Sequence, residues 1–246
     1  MIRPSLTIVT LLVTVLATSC SHKTTSVAVP KPTAFGAAIV ESGGEKQTTQ
    51  AGTALPQPLV VQVNDQQGSA IAGALVEFNA APGVTFDPAQ ALTDSSGQVT
   101  TNVTLGDMAG RYQLTTSSTD KAGKKISLTI EEIALGYRQT LGRQLNGQYC
   151  ERCHNPESTV ERVSNFDNLE IKPHPFTEGD TLNKLSDADL TAIISHGGPA
   201  LNKSALMPAW GNTLSRSDIQ ALISYIRAIS DPPDRNAGPV YEQTAP

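Results

Sequence analysis

Ile126-Ser-Leu-Thr-Ile130-Glu-Glu-Ile-Ala-Leu135-Gly-Tyr-Arg-Gln-Thr140-Leu-Gly-Arg-Gln-Leu145-Asn-Gly-Gln-Tyr-Cys150-Glu-Arg-Cys-His154 changes its hydrophobic period midway. Ile126, Leu128 and Ile130 alternate with polar residues, as in a strand with one buried face. Beyond Gly136 the spacing stretches, and Leu141, Leu145 and Tyr149 fall at i, i+4 and i+8, one face of a helix. A switch of period within so short a span predicts two units of different class: an all-β sandwich followed by an all-α domain.

Working back from this stretch, residues 35–133 keep the period of two. Leu59, Val61 and Val63 share a face, as do Val76 and Phe78, then Val99, Thr101, Val103 and Leu105, then Tyr112 and Leu114. Turn signals separate them: Asp65-Gln-Gln-Gly68, Ala81-Pro-Gly83, Asp94-Ser-Ser-Gly97 and Asp120-Lys-Ala-Gly123. Short alternating strands at this spacing over about 100 residues predict an antiparallel β-sandwich. Leu59-Val-Val-Gln-Val-Asn-Asp65, Gly73-Ala-Leu-Val-Glu-Phe78, Thr93-Asp-Ser-Ser-Gly97 and Leu105-Gly-Asp-Met-Ala-Gly-Arg-Tyr112 resemble the bacterial Ig-like domain type 1 found in invasin and intimin. That resemblance implies a spacer or interaction module without catalytic residues. Asp65, Asp94, Asp107 and Asp120 stand at turns, where an Asp side chain serves its own backbone; a calcium site is the weaker reading.

Working forward, residues 136–230 read as helical. Ser186-Asp-Ala-Asp189 and Ser215-Arg-Ser-Asp218 are capping boxes that open two further helices, carrying Leu190, Ile193 and Ile194, and Ile219, Leu222, Ile223, Ile226 and Ile229. Three helices and long loops supply few apolar groups, so something else is expected to fill the centre. Residues 231–246 lack periodicity and are expected to form a structureless tail.

Cys150-Glu-Arg-Cys153-His154 has the spacing of a c-type haem attachment site: two thiols a helical turn apart reach two vinyl groups of one porphyrin, and the adjoining imidazole reaches the iron. A thioredoxin-like pair would want a βαβ setting, a structural zinc site two more ligands, and a lone disulfide would leave His154 without a role. Of the three methionines, Met1 belongs to the leader and Met108 to the sandwich. Met207, in Ala205-Leu-Met-Pro-Ala-Trp-Gly211, is therefore the candidate thioether for the iron. His174 and His196 are rival sixth ligands; their Pro-His-Pro and helix-end settings favour structural roles.

Gly142 through Ile229 resembles a single-haem class I cytochrome c, on Leu185-Ser-Asp-Ala-Asp-Leu190, Ile194-Ser-His-Gly-Gly198, Met207-Pro-Ala-Trp210 and Ala221-Leu-Ile-Ser-Tyr-Ile226 as well as the cysteine motif. The resemblance implies one haem c, covalent through Cys150 and Cys153, with iron between His154 and Met207. It implies that Gly142 and Tyr225 let the terminal helices cross closely, and that a proline carbonyl, of Pro173 or Pro175, holds the proximal imidazole. Asn146, where an aromatic is common, departs from the pattern. Trp210 is expected to pack on the haem, and Leu201, Leu206, Leu214 and Ile223 to supply apolar burial. With both axial positions filled there is no open iron site, so electron transfer with transient redox partner proteins is favoured over catalysis. Two alternatives stand: a scaffold or adhesion lipoprotein with a haem sensor domain, and a peroxidase-like enzyme with a labile Met207.

Arg3 and the apolar run Leu6 to Ala17 read as a signal peptide over residues 1–19, and Leu16-Ala-Thr-Ser-Cys20 resembles a lipobox, which implies acylation of Cys20. Residues 20–34 then form a tether. Ser21 after Cys20 implies, by resemblance to enteric lipoproteins, an outer-membrane anchor facing the periplasm, with the inner membrane or surface display as the alternatives. The 246 residues carry a formal net charge of −5, which argues against nucleic acid as a partner.

Overall fold

The computed structural model describes residues 29–155 and 165–243. The expected leader and Cys20 lie outside the described residues, and no described helix is long and apolar enough to cross a membrane. Pairing starts at Thr33 and Ala34, whose amides both donate to the Gly73 carbonyl.

Nine strands follow: β1 (Ala38–Gly43), β2 (Thr48–Gln50), β3 (Leu59–Asn64), β4 (Leu75–Asn79), β5 (Thr85–Asp87), β6 (Gln90–Leu92), β7 (Gln98–Thr104), β8 (Gly110–Thr119) and β9 (Lys125–Leu135). They make two sheets, ordered β1-β3-β7-β5 and β2-β9-β8-β4-β6. The result is an Ig-like β-sandwich. Pairing is antiparallel except where short β2 runs parallel to the end of β9, Thr48 opposite Ile133. Leu59, Val61, Val63, Val76, Phe78, Val99, Val103, Leu105, Tyr112 and Leu114 interlock between the sheets, so the alternation in the sequence marks the inner faces. Ile126 and Leu128 are only partly buried against that core. At the turns, Oδ1 of Asp65, Asp94 and Asp120 each accepts two backbone amides of its own turn, which accounts for these three carboxylates without a cation.

One polar feature of the sandwich has no counterpart in the sequence reading. Alternation along β9 sends Glu132 inward between Ile130 and Ala134, and it is 0% exposed. One of its oxygens accepts the Gln47 amide; the other, and one oxygen of Glu41 on β1, is buried without a partner. Burial, chiefly, raises Glu132 to about 8, with Glu41, Glu45 and Glu131 adding repulsion. Burial likewise raises Glu41.

A single residue, Gly136, separates β9 from α1 (Tyr137–Leu145). The helix runs on through a π-helical turn (Asn146–Cys150) into α2 (Glu151–His154). Then come α3 (Gly179–Leu182), α4 (Asp187–His196) and α5 (Arg216–Ile229). Ser186 and Ser215 cap α4 and α5 reciprocally with Asp189 and Asp218. Where α1 crosses α5, a Cβ on Gly142 would lie 2.1 Å from the Ala221 carbonyl oxygen and 2.7 Å from Tyr225 Cβ. Only a glycine permits this approach, which accords with the close crossing the resemblance implied.

The two units share a dry seam. Ile133 and Leu135 on the outer face of β9 pack against Tyr225, Ala228 and Ile229 of α5, with Phe176 beside them. Arg111 of β8, 2% exposed, donates from Nη2 to the carbonyls of Ala228 (2.9 Å) and Ser230 (2.6 Å), and its Nη1 pairs with Glu131. A sandwich cation thus serves the carbonyl end of the last helix, where the helix dipole is negative. Arg143 donates to the Thr48 carbonyl at 3.0 Å, and Lys46 meets Asp231 at 2.9 Å, on the same seam.

The expectation of a structureless tail needs correcting. Val240–Tyr241 form β10, parallel to β8 and opposite Arg111 and Tyr112. The Arg111 amide donates to the Pro239 carbonyl at 2.9 Å, and the Tyr241 ring lies 4.8 Å from that of Tyr112. The reason is an open edge: β4 pairs only with residues 115–117 of β8, leaving the start of β8 with unmet backbone groups that the tail meets.

Candidate functional site

The π-helical turn ends at Cys150, so the cysteine motif occupies the last turns of the long helix, Cys150 and Cys153 one turn apart and His154 at its end. Inserted π turns collect at functional sites. The two cysteines are not joined to each other. Burial, chiefly, pushes the Cys150 thiol up to about 12, with repulsion from Cys153 and Glu151 adding to it. A thioredoxin-like pair needs the opposite shift, toward a thiolate at neutral pH.

His154 Nδ1 lies 2.9 Å from the carbonyl oxygen of His174. A carbonyl only accepts, so Nδ1 carries the hydrogen, and Nε2 is left with a lone pair for a metal. Burial holds the imidazole below its ordinary value, in the neutral form that ligation requires. The Phe176 ring stands 4.8 Å from the imidazole, tilted by 40°. The carbonyl belongs to neither Pro173 nor Pro175, as the resemblance had implied, but to the residue between them. The flanking prolines restrict the backbone there and so present the His174 oxygen.

Met207 packs into the helical core beside Cys150, Tyr149, Leu145 and Trp210, around buried Leu190, Ile194, Leu214, Ile219, Leu222 and Ile223. Its loop is tied back to the end of α4 at three points. Gly198 N donates to Met207 O (3.2 Å), Trp210 N to Ile194 O (2.9 Å) and Gly211 N to Ser195 O (3.0 Å). Gly197, at φ +82°, lets the loop come this close: a Cβ there would lie 2.8 Å from the Met207 carbonyl oxygen. Trp210 leans on Tyr149, ring centroids 5.2 Å apart. Leu214 and Ile223 are buried as expected, whereas Leu206 is 70% exposed, so it adds no burial here. It lies four residues after Asn202, a residue in the left-handed region, and points out of the loop that carries Met207.

The rival histidines fall elsewhere. His174 turns its Nδ1 to Glu178 Oε2 at 3.0 Å, and His196 is exposed at the end of α4. Among the described residues no group of three or more His, Cys, Asp or Glu side chains is placed to hold a metal ion, so the zinc reading lacks its further ligands. The donor set that remains, two thiols on one helical turn, a neutral imidazole with its outer nitrogen anchored, and a thioether in the same apolar core, fits a covalently held haem. Cys20 lies outside the described residues.

Residues 138–226 match the family model described as cytochrome c oxidase, cbb3-type, subunit III. The curated proteins contain no match to the chain. Among solved structures the chain is similar to the D00-D0 domain of intimin, at 16% identity and TM-score 0.32 over 45% of this chain and 51% of that one. It is also similar to the Yersinia pseudotuberculosis adhesin InvE, at 15% identity and TM-score 0.30 over 40% and 32%. Invasin, a bacterial integrin-binding protein, matches at 17% identity and TM-score 0.30 over 40% and 19%. The chain therefore spans about half or less of the length of these three structures.

Proposed function

We propose that this chain, a c-type cytochrome domain over residues 138–226 joined to an Ig-like β-sandwich, is a lipid-tethered carrier of single electrons. One haem c would be held through Cys150 and Cys153, and His154 and Met207 are the residues that would ligate its iron. The observation that carries the reading is the His154–His174 contact of 2.9 Å inside the matched segment, which sets the imidazole's tautomer and leaves its other nitrogen a lone pair for a metal.

The haem, when bound, supplies a one-electron couple at iron. The chain's part is to hold and insulate it. His174 O fixes the ring of His154 and raises its basicity. The three ties on the Met207 loop oppose departure of the thioether, which favours transfer over substrate chemistry at iron. Buried Leu190, Ile194, Leu214 and Ile223 keep water from the centre and disfavour the more charged ferric state, which raises the potential. Acylated Cys20 confines the carrier to a membrane face, the outer membrane facing the periplasm, and the sandwich stands between anchor and redox partner.

Mass analysis of the mature chain should show one added haem, and the oxidised protein should be low-spin with the weak far-red sulfur-to-iron band. Met207→Ala should abolish that band, give a high-spin ferric form and lower the midpoint potential. An unchanged spectrum in the variant would remove Met207 from the ligand set, and a chain of unmodified mass would remove the carrier function.

A further inference from the structure

Between β2 of the sandwich and the α1–π turn of the helical unit lies an open cleft of about 700 Å³. That is within the range of small-molecule sites, roughly 300–1,000 Å³, and such sites favour the boundary between domains. The haem-ligating atoms are not among its walls. Its lining is almost wholly hydroxyls and amides, with one cation, Arg143, and one anion, Glu151.

Three of the polar groups there lack hydrogen-bond partners. Asn146, in the π turn four residues before Cys150, is 8% exposed, and its side-chain amide makes no hydrogen bond within the chain. Tyr225 is 7% exposed, and its hydroxyl is likewise without a partner. Thr140 Oγ1 is buried and unpartnered. Burial holds the Tyr225 phenol above its usual range, so it stays a neutral donor. Buried polar groups in a native fold are satisfied in the great majority of cases. The Asn146 amide and the Tyr225 hydroxyl, carried on nearly buried side chains, open onto this one concavity, so their partners come from outside the chain. Arg143, meanwhile, is anchored to the Thr48 carbonyl at 3.0 Å, so the cleft has a fixed wall from each unit.

We propose that this cleft binds a small neutral polyhydroxylated molecule, a sugar or polyol, through the Asn146 amide and the hydroxyls of Tyr225 and Thr140. Neutrality follows from the balance of one guanidinium against one carboxylate. An apolar or lipid ligand is disfavoured because the walls offer it almost no aliphatic side chain. The occupant would touch both units and lie one helical turn from the first haem cysteine. The proposal does not depend on the axial ligand assignment, and it stands or falls separately from the electron-carrier function.

The test is calorimetric titration of the purified full-length holoprotein with glucose, maltose and myo-inositol, each up to tens of millimolar, with succinate and ethylammonium as charged controls. At least one neutral compound should saturate and raise the thermal midpoint, as any ligand specific to the folded state does. Tyr225→Phe and Thr140→Val keep the shape of each side chain and remove only the hydroxyl. Each should weaken binding by about five- to tenfold, the value of one hydrogen bond. Failure of all three neutral compounds to saturate would mean that water alone fills the cleft and would overturn the proposal. So would binding left unchanged by both variants, or a preference for either charged control.

Discussion

The two halves of this molecule make their interiors from different materials. The sandwich fills itself: sixteen buried side chains from both sheets interlock, and the amide and carbonyl groups of its long strands find each other. The helical unit spends part of its buried surface on the seam, and its separate cluster holds six buried apolar residues with partly buried Leu145, Tyr149, Cys150, Leu185, Met207 and Trp210 packed against them. Cys150 of the cysteine motif and Met207 are both in that set. A domain that supplies so little of its own core, and whose reactive side chains line what it does supply, is built to be completed by a prosthetic group. The sandwich is complete as synthesised.

The strongest way to break that contrast is to prevent attachment. Replacing both Cys150 and Cys153 by Ala should abolish the cooperative unfolding of the helical unit and its near-ultraviolet signal while the β-sheet signal survives. A fully folded helical domain without haem would mean its core is sufficient as it stands. Gly142→Ala comes next. Its Cβ would meet a backbone carbonyl that cannot move aside, so the cost should be about 3 kcal/mol, at the upper end for overpacking, seen as an early loss of the haem-unit transition in denaturant.

The seam sharpens the comparison further, because there the two interiors become one. Arg111→Met should cost about 2–3 kcal/mol, somewhat below a fully buried pair since Glu131 keeps solvent access. It should also split one thermal transition, followed by haem absorbance and by far-ultraviolet signal, into two. If both probes already melt separately in the parent chain, the seam does not couple the units. The smallest effect is expected inside the sandwich. Glu132 has its folded value raised to about 8 from an ordinary 4.5, so the folded state holds the proton more tightly. That stability is complete below about pH 4.5 and is lost as pH rises through about 8. Glu132→Gln should flatten the pH dependence and gain about 1–2 kcal/mol at alkaline pH, with little change at acid pH. A parent protein whose stability is level across this window would show that the carboxyl ionises without penalty.

How much of this was legible beforehand follows from the range of the forces involved. Strands and helices announce themselves locally: Leu59-Val-Val-Gln-Val shows its buried face by alternation, and Ser186 and Ser215 show their helix starts by the acid three residues on. The cysteine motif and Met207 stood out because few residue types perform that chemistry, and the fold packs Cys150 and Met207 against one core. What the sequence concealed is set by distant contacts. Nothing near Val240 predicts a strand, because its partner is an open edge more than a hundred residues earlier. Glu131 and Glu132 read alike, yet one faces Arg111 and the other the core, a difference that only register decides. The His174 carbonyl was hidden because a backbone acceptor carries no residue-type signature; the prolines on either side were the only hint, and they pointed to themselves.

The single residue between β9 and α1, taken with the return of the tail to β8, has a mechanical meaning. Both ends of the helical unit are fastened to the same sheet, so it cannot pivot on a hinge as a bead on a string would. The helical unit therefore holds a constant angle to the sandwich. Inserting residues at Gly136 would release that angle.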